Sequence, residues 1–589
     1  MIQTEKNIRR LRRFRRFKIA KTNKPANSGS SRLNLCNLRN LRMTGRWIAV
    51  VCAFVLESTK LHSVHGHSAF TCDHELSKLV MEDTLHVRLL KSLALISTLI
   101  CILAFALHPP VQSAAKQETR PAPPQSSSPS PTPQPSPSPT PTPEPLPPPT
   151  VKIDDYRSPA GRIIGAALTT DHAYKRLAYL TDHIGNRLSG SNNLERAITW
   201  ALGEMKSDGL DNVRAEKVMV PHWVRGEESL EMISPEPRKL SMLGLGNSVN
   251  TPPEGIAAEA IVVRSFDELE ALGERVRGKI VVYNAPFVSY GETVRYRGAG
   301  ASRAARYGAV AALVRSITPV SLQTPHTGAM NYDEKQPKIP TAAITIEGAE
   351  LLQRMNDRGE HPMLRLKMEA KFLPDAESAN VVAELRGSEK PDEVVLIGGH
   401  LDSWDVGQGA QDDGGGVIIA WEAVRLLKEL GLRPRRTIRV VLFTNEENGA
   451  RGASGYRDAH LAEARKHILV VESDSGCYRP EGFGLATAAP PQARANFIEI
   501  AKLLAGIRAD RVAANGGGTD IGPMMKEGVV GASLNVDGTH YFDIHHTQAD
   551  TLDKVNPQEL ALCVAAMTVM AYTVADMPQA LSGSTPAGQ

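Results

Sequence analysis

The chain has 589 residues, a formal net charge of +4 and 42% hydrophobic content, which is enough for two or three domains once non-globular parts are removed. Positive charge is concentrated near the N-terminus, in the run from Arg9 to Arg16, while the rest mixes both signs. This reads as a basic tail and excludes a nucleic-acid partner for the globular part. Of six cysteines only Cys477 and Cys563 follow the expected secretion segment, too few for a disulfide framework and without thiolate-metal spacing.

Residues 1–80 show no sustained globular pattern. Met81 is followed by Arg88 and Lys91, an apolar run from Leu93 to Leu107, and Ser113-Ala114-Ala115. A positive segment, an apolar segment and small residues in that order make a secretory signal. The expectation is a signal over 81–115, translation from Met81, and an over-long N-terminal extension before it. An uncleaved signal anchor is the alternative, since 89–107 is almost long enough to span a bilayer. Residues 116–159 follow as a Pro/Ser/Thr-rich linker, extended because it has nothing to bury. A signal and a tether predict a periplasmic, secreted or cell-surface protein, with membrane contact only through the signal or anchor.

Globular sequence is expected from about Ile164. Helical spacing covers 173–183 and 194–206, the second stopped by Gly209. Arg187 to Ser191 (RLSGS) is a loop between them, and 213–220 alternates like a strand. Residues 254–372 change character. Strand-like runs at 260–263, 279–283, 311–314 and 342–346 alternate with helical stretches at 266–277, 300–307 and 348–356, and none ends in a cluster of His, Asp or Glu. This predicts a smaller inserted domain without chemistry of its own. From 380 onward strands at 380–385, 393–397, 437–444 and 468–472 alternate with helices at 415–430, 453–464, 492–504 and 557–576. Such alternation marks a mostly parallel, doubly wound α/β sheet.

Three of these strands end in acidic or histidine clusters: His400-Leu401-Asp402, Asn445-Glu446-Glu447 and Ser473-Asp474. A later loop carries His545-His546 and Asp550, and Asp412-Asp413-Gly414 follows the first strand. Singly each has a bland reading: a structural histidine, a turn, or a helix start that suits carboxylates. Parallel strands, however, bring their C-terminal ends to one crevice. Carboxylates crowded there repel and lose solvation unless a cation joins them. Imidazole and carboxylate without thiolate suit zinc, with cobalt or manganese as substitutes. Five ligands exceed the roughly three that one catalytic zinc takes from protein. One bridging carboxylate with two ligands on each side instead suits two metals roughly 3.5–4 Å apart. Of the adjacent pair Glu446 and Glu447, one can bind metal while the other serves as general base.

Residues 165–578 resemble the zinc-dependent M28 metallopeptidases. The matching stretches are HLDSW, GAQDDGGG, TNEE, ESDSG and HHTQADT, in family order, with RLSGS upstream. The phrases GKIVVYN, AARYGAVAALV and IPTAAITIEGAELL resemble the protease-associated domain. The resemblance implies a catalytic domain built from 160–253 and 373–580 around a protease-associated insertion at 254–372. It implies two zinc ions: one on His400 and Asp474, the other on Glu447 and His546, with Asp412 bridging. Glu446 would be the general base, taking a proton from water and passing it to the leaving amine. Asp402 would orient His400, and Asp550 would do similar work for His546. Tyr541 by its position is a candidate for the oxyanion, and His545 is a neighbour with a substrate-contact role. The implied activity is hydrolysis of a peptide bond beside a free terminus, on small peptides or dipeptides, by an enzyme whose relatives suggest a homodimer. Three alternatives are an aminoacylase of the M20 type, a receptor-like relative that has lost its ligands, and a one-metal glutaminyl cyclase. The intact ligand set and the order of the motifs stand against all three.

Overall fold

The computed structural model describes residues 145–583. The extension, the signal and residues 116–144 of the linker lie outside the described residues. A helix at Asp154–Leu168 buries Tyr156, Ala160 and Ile163, so ordered structure begins ahead of the expected start. Just before it, Val151 is buried and Thr150 is tied to Asn496 Oδ1. The Pro-rich composition upstream conceals this boundary.

β1 (Asp211–Val224) opens a first sheet. The chain then builds a second with β2 (Glu228–Ser234), β3 (Arg238–Leu240), β4 (Met242–Gly244), β5 (Ile256–Val263), β6 (Ile280–Tyr283), β7 (Ala311–Arg315), β8 (Thr341–Ile344) and β9 (Met363–Met368). It returns with β10 (Lys371–Leu385), β11 (Lys390–His400), β12 (Arg436–Phe443), β13 (His467–Glu472), β14 (Pro480–Leu485), β15 (Arg511–Ala513) and β16 (Gly531–Val536). The first sheet runs β1-β10-β12-β11-β13-β16-β14-β15 and the second β3-β2-β9-β5-β6-β7-β8-β4. Three strands of the second sheet, β2 to β4, precede residue 254. Their short, polar-faced runs carry too little periodicity to be assigned from sequence.

The first sheet is parallel through β12, β11, β13 and β16 and antiparallel at β1/β10, β10/β12 and β14/β16. Its parallel centre is covered on both faces, which is why β12 is buried along its whole length. Two arginines interrupt that strand, and each is neutralised. Arg436 Nε lies 2.5 Å from Glu393, and Arg439 Nε 2.8 Å from Glu384. The helix Gly415–Glu429 packs its apolar side, including Val417, Trp421 and Val424, into the main core with β11 and β12. The helix Pro557–Asp576 is apolar enough to cross a membrane but is 83% buried here, and it serves as a core helix.

Candidate metal centre and cleft

Because β12, β11 and β13 are neighbours and parallel, their C-terminal ends share one edge. His400 ends β11 in register with Phe443 of β12, so the Asn445–Glu447 turn emerges beside it. Asp474 follows β13, and the chain leaving β16 reaches His545 and His546. Two glycines let the parts close up. A Cβ on Gly399 or Gly416 would run into the Asp413 carboxylate and the Ser473 carbonyl, so the β11 end and the helix start can approach only without side chains.

His400 Nε2 lies 3.3 Å from Asp412 Oδ1 and 3.5 Å from Asp474 Oδ1. His546 Nε2 lies 3.2 Å from Asp412 Oδ2 and 3.1 Å from Glu447 Oε2. Asp412 therefore stands in the middle, with one oxygen toward each histidine. No hydrogen bond of sound geometry reaches its buried Oδ2 or Glu447 Oε1. Unpaired buried acceptors are costly, and Asp412 Oδ2 lies 3.2 Å from His546 Nε2 and 3.4 Å from His545 Nε2, where a cation would satisfy it.

The electrostatics carry the same imprint. Burial pushes Glu447 up to about 8, helped by the Asp412 charge, and pushes Glu446 up to about 7, with Asp474 adding to it against His400. Burial opposes charge on His400 and His546. Even so, Asp402, Asp412 and Asp474 around the first, and Glu447 and Asp412 around the second, hold both well above the usual imidazole range. Asp412 is held well below the carboxylate range by the close approach of the two histidines, which outweighs its burial. Protons on the histidines occupy the place a cation would take.

The surrounding bonds define which atoms are free. His400 Nδ1 donates to the Asp402 carbonyl oxygen at 3.0 Å, which turns Nε2 inward. Asp402 thus orients His400 through its backbone. Its carboxylate instead accepts from the Glu446 and Glu447 amides, at 3.0 and 3.2 Å, and so locks the base and ligand turn to β11. The expectation for Asp550 is corrected. Its oxygens accept from the Gln411 and Asp412 amides, at 2.8 and 3.1 Å, so it holds the bridging residue and not His546. The resemblance implied a partner for His546, but the αL backbone of His546 (φ 60°) turns the chain so that Asp550 faces the 411–412 loop.

His546 is instead bracketed by the second sheet's part of the chain. Thr327 donates its amide to the His546 carbonyl at 3.0 Å, and its own carbonyl lies 3.3 Å from Nδ1. His545 stacks on His546 at 3.6 Å between ring centroids and puts Nε2 3.4 Å from Asp412 Oδ2. Burial and the His546 charge hold His545 well below the usual imidazole range, so it stays neutral. Asp413 also belongs to the cluster with His400 and Asp474, but its oxygens accept from the His400 and Gly416 amides.

Sequence reasoning missed Asp413, Thr327 and Arg187. The adjacency of two aspartates was the signal for Asp413. Arg187 of RLSGS is wholly buried and donates to the carbonyls of Leu401, Gly185, Gln408 and Gly409. It clamps the two sides of the loop between His400 and Asp412. From the same loop, Ser189 accepts from Asn445 Nδ2 at 2.9 Å, steadying a residue held at φ 63° just before Glu446. A strained residue braced on both sides beside a chemical group is a common feature of functional sites.

A cleft of about 640 Å³ opens onto Glu446, Glu447, Asp474 and Tyr541. On its far wall stand Tyr290 and Arg297, from the helix Tyr290–Ala305. That helix starts well before the expected 300–307. Ser289 caps it by accepting from the Glu292 amide, a capping pattern readable in the sequence. Burial, with the charges of Asp412 and Asp474, holds the Tyr541 phenol well above its ordinary range, so it remains a donor.

Residues 380–571 match the model of Peptidase family M28. Carboxypeptidase Q of Xenopus laevis is 50% identical over 433 residues, 73% of this chain and 92% of that protein. Carboxypeptidase Q of Homo sapiens is 49% identical, over 70% of this chain and 87% of that protein. A solved M28 peptidase precursor from Shewanella amazonensis superposes with a TM-score of 0.70 at 36% identity, covering 72% of this chain and 98% of that one. An Aneurinibacillus aminopeptidase shares the fold, with a TM-score of 0.54 at 20% identity, over 72% of this chain and 97% of that one. The chain belongs to peptidase family M28 and is a metallopeptidase.

Proposed function

We propose that the chain is a dizinc exopeptidase that hydrolyses small peptides beside a free terminus. The observation that carries this reading is Asp412, whose two oxygens face two separate donor sets while one oxygen stays without a sound hydrogen bond. His400 and Asp474 would hold one zinc and Glu447 and His546 the other, with Asp412 shared. The donors fit: imidazole nitrogen and carboxylate oxygen, with no cysteine in the cluster among the described residues. When bound, zinc supplies Lewis acidity and makes water more acidic.

The protein's own groups do the rest. Glu446 lines the cleft beside the cluster, and burial keeps it near the neutral range that suits proton transfer. It takes a proton from the attacking water and returns it to the leaving amine. Tyr541, kept protonated, donates to the oxygen that gains charge. His545 packs under His546 and contacts substrate from the cleft wall. Residues 228–368, with the second sheet, form the protease-associated insertion and one wall of the cleft. The expected site of action is the periplasm or the cell exterior, with membrane contact only through the signal or an anchor.

The test is Glu446→Gln. Dipeptide hydrolysis should fall about 10³-fold, within the span of general acid–base catalysis, while the zinc-to-protein ratio by elemental analysis stays at that of the parent. Retained turnover would remove Glu446 from the role of base, and zinc lost together with activity would make it a ligand.

A further inference from the structure

The two histidines at the centre are held in different ways. His400 Nδ1 donates to the carbonyl of Asp402, two residues along its own loop. His546 takes its support from a distant segment. Its carbonyl accepts from the Thr327 amide at 3.0 Å, and its Nδ1 lies 3.3 Å from the Thr327 carbonyl, which also accepts from Arg297 Nη1 at 3.3 Å. Thr327 is wholly buried in the loop between β7 and β8. One residue of the insertion thus grips both the backbone and the ring of His546. A metal-bound histidine depends on the partner of its other nitrogen, so where Thr327 sits matters to the metal.

Thr327 is in turn tied to Arg225, in the turn from β1 to β2 where the chain enters the insertion. Arg225 is buried. Its Nη1 donates to the Gly244 carbonyl, and its Nη2 lies 3.4 Å from the Thr327 hydroxyl, which itself donates to the Gly244 carbonyl at 2.7 Å. Arg225, the end of β4 and Thr327 therefore close a ring of bonds. Glu228 backs it, its carboxylate accepting from the Gly244 amide at 2.9 Å and lying 3.6 Å from Arg225 Nη1. On its other side the guanidinium forks onto Asp405, with Nε 2.8 Å from Oδ2 and Nη2 2.6 Å from Oδ1. Asp405 belongs to the loop that leaves His400. A second contact runs beside the fork. A Cβ on Gly246 would overlap the Trp404 indole, so Trp404 packs onto bare backbone, and its ring centroid lies 5.7 Å from that of His546. A planar bidentate pair fixes direction as well as distance.

We propose that Arg225 is a positioning residue for the zinc on His546. By tying Asp405 to Gly244 and Thr327, it sets where the insertion meets the loop after β11. It thereby sets the affinity for that zinc and not for the one on His400. This rests on the dizinc reading. The His400 side has its own clamp, since Arg187 donates to the carbonyls of Leu401, Gln408 and Gly409, so the zinc there should not feel the loss of Arg225.

The experiment is a zinc titration of the metal-free full chain against a competing chelator. The parent should take up two ions. Arg225→Gln should weaken the ion that His546→Ala removes by about 10–100-fold, the usual cost of losing support around a metal ligand, and leave the other unchanged. Arg225→Lys keeps the charge without the fork and should fall between. Thr327→Val keeps the peptide groups and removes the hydroxyl link. Added to Arg225→Gln it should cost little more than Arg225→Gln alone, because residues in one chain of bonds are not additive. Both ions weakened equally, neither weakened, or fully additive losses would each overturn the proposal. Hydrogen exchange of the metal-free proteins, read by mass spectrometry, gives a second measure. Peptides carrying Thr327 and His546 should exchange faster in Arg225→Gln, while those carrying His400 keep their rate. A merely structural arginine would lower the denaturation midpoint and leave the zinc affinities and this local pattern intact, which also overturns the proposal. Should Arg225→Gln fail to fold, Arg225→Lys and Thr327→Val carry the same comparison. A parent that takes up one ion would remove the dizinc reading, and exchange then decides for Arg225 by itself: faster exchange at Thr327 and His546 supports its role, and unchanged exchange ends it.

Discussion

The two sheets are alike in size and unlike in what their edges carry. Both have a parallel centre, β12-β11-β13-β16 in one and β5-β6-β7-β8 in the other. The first delivers His400, Glu446, Glu447 and Asp474 at consecutive strand ends. The second delivers no such cluster; it gives the cleft Tyr290 and Arg297 from the helix after β6, and the loop between β7 and β8 supplies buried Thr327 against His546. The first sheet therefore makes the reacting centre, and the second shapes what reaches it. A mutation that removes chemistry should fall on the first, and one that changes selectivity on the second.

The sharpest way to break this contrast is at the shared carboxylate. Asp412→Asn should lower metal content at both positions and abolish turnover, whereas His546→Ala should lower it at one. Elemental analysis distinguishes them: equal losses would deny that Asp412 is shared. Next in size is Asp550→Asn. Its carboxylate holds the amides of Gln411 and Asp412, and loss of such outer support commonly costs about 10–100-fold in metal affinity or activity. Zinc titration against a competing chelator reads this directly, and an unchanged affinity would reduce Asp550 to a packing residue. Arg187→Met should act on stability. It strips four carbonyls of their donor, those of Leu401 and Gly409 in buried bonds and those of Gly185 and Gln408 in half-buried ones, at about 1–3 kcal/mol for each that water does not reach. Denaturant melts should show a clear drop in midpoint, and none would mean that the loop between His400 and Asp412 stands without its clamp.

The same contrast explains what could be read from sequence. His400, Glu446, Glu447 and Asp474 were legible because each follows an apolar run that can only be a buried parallel strand, and such strands share an edge. Asp402 was legible as a helper of His400, though not that its carbonyl does the orienting while its carboxylate holds the next strand's turn. Asp550 was assigned to the wrong partner because the turn at His546 depends on a left-handed residue that carries no sequence mark. Thr327 and Arg297 were invisible. They belong to segments with no histidine or acid cluster, and they matter only through an approach between distant parts of the chain. The short strands β2 to β4 and the β14–β16 group were unread because their runs are too brief or too interrupted by glycine to show a period.

The smallest predicted effect concerns the metal-free protein and its pH. In the folded chain Glu447 and Glu472 keep their protons up to about 8, chiefly through burial, whereas an unfolded glutamate loses its proton near ~4.3. His400 and His546 are also held above the ordinary imidazole range by their carboxylate neighbours, against burial. All four groups bind protons more tightly folded than unfolded, so their contribution to stability fades as pH rises through their folded values. His326 and His467 have the opposite sign, being pushed by burial down to about 3 and about 4, and His545 is lowered likewise. Their effect is half spent at ~6.5, where an unfolded histidine is half neutral, and nearly gone about one unit higher. Between about pH 7 and 8 the first four groups outweigh it, and the melting temperature of chelator-treated protein should fall as pH rises. Zinc should abolish the decline, because a cation replaces the protons and ligand binding stabilises the fold by mass action. A metal-free midpoint that climbs across this range, or a decline untouched by zinc, would separate the crowded carboxylates from the metal and leave the first sheet's edge without its reason for being charged.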